Sequence, residues 1–64
     1  MMKFETKFNI GDEILIESFG ILQKNPIINI TIDVDEKTGV VIEYWTVDEN
    51  SGEWLITDEK NVML

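Results

Sequence analysis

The chain contains no cysteine, no histidine and no arginine, and one proline. Without cysteine there is no disulfide framework and no thiolate metal site. Without cysteine or histidine, the commonest nucleophile and base pairs of enzymes are missing. Five lysines stand against thirteen acids, a net charge of −8. Binding along a phosphate backbone needs clustered cations, so direct nucleic-acid binding is excluded, and anionic membrane surfaces are disfavoured for the same reason. No apolar run is long enough to span a bilayer, and Met1 to Thr6 lacks the apolar core of a signal peptide. The expected compartment is the cytoplasm.

What is present is a short, rather apolar chain. At 44% hydrophobic residues it is too apolar for a disordered polymer. Residues 1–64 read as a single domain, close to the lower size limit for an independent core. Packing alone, or a partner subunit, must supply its stability.

The pattern is that of strands. Gly39 to Val47 places Val40, Ile42, Tyr44 and Thr46 on one face and Val41, Glu43, Trp45 and Val47 on the other. Both faces are largely apolar, as in a central strand whose second face is partly covered. Tyr44 is expected inward with Ile42, and Trp45 outward between Val41 and Val47. Ile27 to Asp35 has the cleanest alternation, with Ile28, Ile30, Ile32 and Val34 on one side. Glu13 to Glu17 and Glu53 to Thr57 read as further strands, the latter with Trp54 and Ile56 on one face. Met1 to Lys7 reads as a lead-in able to pair at an edge, and Val62 to Leu64 as a last short strand. Asn9 to Asp12, Glu36 to Gly39 and Asp48 to Gly52 read as turns. Ser18 to Pro26 reads as a loop punctuated by Gly20 and Asn25-Pro26, or as a strand continuing to Gln23. Thr57 to Lys60 has the form of one helical turn capped by Thr57.

The expected fold class is therefore all-β, with about five antiparallel strands and one short helical turn before the last. Lys7-Phe8-Asn9-Ile10-Gly11-Asp12-Glu13-Ile14 resembles the K-F-x-x-G-D-x-V opening of SH3-like barrels of the KOW and Tudor type. The ending Trp54 to Val62 resembles their closing strand, acidic helical turn and final apolar residue. The resemblance implies a small SH3-like barrel and a binding function toward peptides, modified side chains, nucleic acid or proteins. The basic loops of the nucleic-acid-binding members are missing here. Such openings also occur in small phage and bacterial proteins.

No catalytic constellation stands out, and a chain this small has little room for a deep pocket, so an enzyme is not expected. Asp33 to Gly39 has some acids of a calcium loop, but Lys37 occupies a ligand position and Tyr44 stands where a bidentate acid is required. No metal or cofactor is expected. The candidate site is a surface for a protein partner. It comprises Val41, Glu43, Trp45 and Val47, with an acidic rim of Asp33, Asp35, Glu36, Asp48, Glu49 and Glu53. A tryptophan among β-branched residues is a good interface anchor. Coverage of Trp45 by Met1–Phe4 or Phe19–Leu22 of the same chain is the plainer alternative. The acids could imitate a nucleic-acid backbone, so that a phage-encoded protein inhibits a basic, nucleic-acid-handling host protein; their plainer role is solubility. The remaining readings are a homodimer through the Val41, Trp45, Val47 face, and a peptide or modified-residue reader built on Tyr44, Trp45, Trp54 and Phe19.

Overall fold

The structure is a computed structural model and describes residues 4–63. It is all-β, with five strands and one 3-10 turn. β1 (Glu13–Ser18) and β2 (Ile21–Pro26) form an antiparallel hairpin. β3 (Asn29–Asp35), β4 (Gly39–Val47) and β5 (Trp54–Asp58) form a second antiparallel sheet with β4 in the middle. Neither sheet closes on itself. The 3-10 turn η1 spans Glu59–Asn61.

The segment expected as a loop, Ser18 to Pro26, is mostly strand. Phe19 and Gly20 both take positive φ, 51° and 80°, between the paired residues Ser18 and Ile21. Two consecutive left-handed residues make the tight turn whose twist matches a hairpin. A phenylalanine gives little warning of that conformation, which normally favours glycine or asparagine. Pro26, at the end of β2, faces Glu13 across the ladder, a terminal position where its missing N–H costs little. Gly39, with φ 79°, occupies the left-handed position anticipated for the β3–β4 turn.

Between β2 and β3 the chain passes from one sheet to the other. Ile27 N–H donates to Asp12 C=O at 2.9 Å, and Ile28 N–H donates to Trp45 C=O at 2.8 Å. The strand expected from Ile27 therefore begins at Asn29, after a bend. The lead-in is not a strand in its described part, Phe4 to Lys7; Met1 to Lys3 lie outside the described residues. Asp58, rather than Thr57, caps η1, accepting from Lys60 N–H. The expected final strand does not form in its described part: Val62 and Met63 are irregular, although Met63 N–H donates to Leu15 C=O at 2.9 Å, and Leu64 lies outside the described residues.

The core is small: Ile14, Ile16, Ile27 and Tyr44 are buried, with Phe8, Ile30, Ile42, Leu55 and Val62 packed around them. The regular alternation of β3 misleads here. Ile32 and Val34 are 38% and 63% exposed, because they lie toward the turn of the β3–β4 hairpin, beyond the part of the sheet that packs on the core; Ile28, 41% exposed, precedes β3 where the chain crosses between the sheets. The inner face also buries polar groups. Gln23 Nε2 donates to Asp48 Oδ2 (2.9 Å), and Asn25 Nδ2 donates to Gln23 Oε1 (3.0 Å). Thr46 Oγ1 is buried without a partner, so its hydroxyl subtracts from stability.

Tyr44, fully buried, joins segments that no ladder joins. Its hydroxyl donates to Glu59 Oε2 at 2.5 Å and accepts from Phe8 N–H at 3.3 Å. Lys7 N–H donates to the same Glu59 oxygen at 3.2 Å. The Phe8 and Tyr44 rings meet edge to face at 5.6 Å, a favoured aromatic geometry. Burial pushes the phenol above its ordinary pKa, and the Glu59 carboxylate adds to the rise. Above a pH of about 10 the unfolded chain loses this proton while the folded chain keeps it, so stability falls as pH rises. Tyr44 is the only tyrosine, so ultraviolet absorbance follows it directly. Its folded-state titration is expected above that of the chain in denaturant. Tyr44→Phe should lose roughly 1–2 kcal/mol of stability at neutral pH in urea unfolding. An unshifted titration would contradict the clamp.

Candidate functional site

The outer face of the β3–β4–β5 sheet is built by register. Directly opposed residues share a face in an antiparallel ladder. The pairing sets Val47 beside Trp54, then Asn29, Trp45 and Ile56 in a row, then Thr31, Glu43 and Asp58, then Asp33 beside Val41. One half of this face is aromatic and aliphatic, and the other is acidic. No lysine occurs among the residues in these rows.

Trp45 stands outward, as its position in the strand demands. It is half-buried and meets Trp54 and Thr31 on the same face; of its two expected covers, Phe19–Leu22 is largely exposed, and Met1 to Lys3 lie outside the described residues. Trp45 and Trp54 meet edge to face with centroids 5.3 Å apart, and Trp45 Nε1 donates to Thr31 Oγ1 at 3.2 Å. Trp54 and Ile56 remain 62% and 51% exposed. Trp45 is thus a fixed platform and Trp54 the ring presented to solvent. Glu43 and Asp58 oppose each other across the ladder, an unfavourable like-charge pairing that a cation would relieve.

The structure brings together Val41, Glu43, Trp45, Val47, Asp33 and, at the edge of the face, Asp35. It separates the others. Glu36 lies in the β3–β4 turn, whereas Glu49 and Glu53 flank the β4–β5 turn at the opposite end of β4. A nine-residue strand spans roughly 25 Å at ~3.3 Å per residue. Screening lengths are about 8 Å at physiological salt, so the two groups of acids are electrostatically independent. The acids do not form one continuous field around both hairpins.

Asp48 is no part of the rim. It is 7% exposed and acts as an internal acceptor. Besides Gln23, its Oδ1 accepts from Asn50 and Ser51 N–H at 2.8 and 3.0 Å. The Gln23 amide, then these backbone donors, hold its carboxyl below the ordinary carboxylate range. Asp58, Ile56 and Thr31 complete the face and are not among the residues expected from sequence; Trp54, expected there only as part of a modified-residue reader, joins them. The signal for Trp54 and Ile56 was their alternation; placing them beside Trp45 needed the turn register. Asp58 reads locally as part of a helical turn.

Among the described residues, no group of three or more carboxylates is placed to hold a metal ion, and no helix is long and apolar enough to cross a membrane. A second exposed apolar feature is the β1–β2 turn, where Phe19 is 94% exposed with Ile21 and Leu22 beside it. Compared with protein-family models, characterised proteins and solved structures, the chain has no match.

A depressed carboxyl stabilises the fold above its unfolded pKa of about 4, and that stability is lost as pH falls toward the folded value. Asp48→Asn should therefore lower stability at pH 7 and reduce its loss on acidification. The amide places a donor against Gln23 Nε2, and turning Gln23 to accommodate it breaks the bond from Asn25. Urea midpoints measured at pH 7 and pH 3 check this. Equal losses for both proteins on acidification would contradict it.

Proposed function

We propose that this protein is a non-enzymatic protein-binding module that engages its partner through the outer face of the β3–β4–β5 sheet. The observation that carries this reading is the Trp45–Trp54 pair with Ile56 beside it. Trp54 and Ile56 are mostly open to solvent on a half-face that is otherwise apolar. Tryptophan is enriched among residues that dominate interface energetics, and contiguous exposed apolar surface marks interaction sites. The acidic half, Glu43, Asp58 and Asp33, favours a basic partner surface and steers its approach.

Basic surfaces of this kind belong to proteins that handle nucleic acid. An inhibitor that covers such a surface, of the sort a phage encodes, is the specific form of this proposal. An SH3-like barrel belongs to the same proposal. Its support is the passage from β2 to β3 between the sheets, the 3-10 turn after β5, and the bond from Met63 back to Leu15. A homodimer through the Val41, Trp45, Val47 face is the less favoured reading, since a twofold contact would bring Glu43 and Asp58 of both copies together without a cation in the rows.

The test is affinity capture from a bacterial lysate with wild-type protein and Trp54→Ala, at low and high salt. Trp54 is largely exposed, so its removal should cost only the edge-to-face pair with Trp45, about 1 kcal/mol of stability, and leave the protein folded. It should weaken capture of a basic protein by tenfold or more, as loss of an interface anchor costing about 2 kcal/mol would. High salt should weaken wild-type capture. Salt-independent self-association that Trp45→Ala abolishes would overturn the reading.

A further inference from the structure

We infer that β5 is a docking edge, to which an extended, lysine- or arginine-bearing segment of the partner adds as a further strand. This rests on the proposed basic protein partner and specifies how it is held. Among the described residues, β5 pairs on one side only, with β4. The phase of that ladder follows from Asp48 N–H donating to Glu53 C=O at 2.8 Å. Bonded and non-bonded pairs alternate along an antiparallel ladder. Continuing the register, the Thr46–Leu55 and Tyr44–Thr57 pairs are bonded. The backbone N–H and C=O groups of Trp54, Ile56 and Asp58 therefore point to the free edge. These same three residues present their side chains on the outer face. A strand added here would take its backbone bonds from them and lay its own side chains beside Trp54, Ile56 and Asp58.

Beyond the free edge lies a groove between β5 and the β1 side of the molecule. It is lined by Glu17, Ile56, Thr57, Asp58, Asn61 and Met63. None of these is cationic; two are acids, and Ile56 and Met63 are 51% and 55% exposed. Apolar positions and carboxylates along one edge fit a strand in which apolar and basic residues alternate, because cross-strand pairs of opposite charge stabilise and like pairs do not.

Charge also decides against a second copy. It would bring its own Glu17, Glu53 and Asp58 to the same groove, and between Glu53 and Asn61 its β5 segment carries Glu53, Asp58 and Glu59 against the single lysine Lys60. Sheet edges are commonly guarded against self-pairing by short length and charge. β5 is five residues long and bounded by Glu53 and Glu59. The guard is of one sign only, so it repels acidic strands and admits basic ones. Main-chain bonds then supply affinity, and the alternating side chains supply specificity.

Three synthetic peptides test the inference: one alternating arginine with valine, the same sequence with its backbone amides N-methylated, and one alternating glutamate with valine. Tryptophan fluorescence reports binding, and amide hydrogen exchange locates it. The arginine peptide should bind and slow exchange at Trp54, Ile56 and Asp58. N-methylation should weaken it at least about tenfold by removing the strand's donors, and the glutamate peptide should not bind. Equal binding of the N-methylated peptide, with changes at Trp45 and Val47, would overturn edge pairing while leaving the basic-partner reading intact. No binding by either arginine peptide would overturn both. Slowed exchange along β5 in a dimer formed without peptide would assign the edge to a second copy and also overturn the inference.

Discussion

The Tyr44 hydroxyl is the point on which this small fold depends. The two sheets share few backbone bonds, and among the described residues the fully buried core has four apolar side chains. Tyr44 reaches out of that core and fixes both ends of the described chain. Phe8 and Lys7 arrive from one side and Glu59 from the other. A hydrogen bond between a phenol and a carboxylate is stronger than a neutral one, and in a low-dielectric setting its loss leaves the remaining groups unpaired. One side chain of the central strand thus does what a disulfide does in small domains that have cysteine.

The second consequence is a division between the faces of β4. Ile42, Tyr44, Thr46 and, just beyond the strand, Asp48 face inward and hold the sheets together. Val41, Glu43, Trp45 and Val47 face outward, half-buried beside their cross-strand neighbours. Buried polar groups reinforce the division: Asp48 draws Gln23 and Asn25 into one network joining the β1–β2 hairpin to the β4–β5 turn. The outer aromatic residues are consequently free of any duty to the core. In the proposed binding role, their exposure is what would make them available to a partner, and the acids beside them would select its charge.

Much of this was legible in the sequence because strand alternation is a local signal. Glycine-bounded Gly39 to Val47 gave both faces of β4, including the inward Tyr44 and outward Trp45. What local pattern could not reveal was coverage. Ile28, Ile30, Ile32 and Val34 look like an ideal buried face, yet burial depends on where the other sheet ends. The Phe19-Gly20 turn was hidden by a bulky residue in a left-handed conformation, and with it went β2. Asp48 looked like one more hairpin acid, since its partner Gln23 is 25 residues away in sequence. Trp54, Ile56 and Asp58 joined the face only through the register of the β4–β5 hairpin.

The most direct measurement is site-specific photo-crosslinking in living bacterial cells. A benzophenone side chain would be placed at Ile56 on the outer face or at Val34 on the inner face of the overhanging hairpin. Both positions are exposed in the free protein, so they differ in face and not in accessibility. A discrete adduct with a basic protein from position 56, absent from position 34, is the expected result. An adduct from position 34 alone, or none from position 56, would contradict the assignment of the outer face as the binding surface.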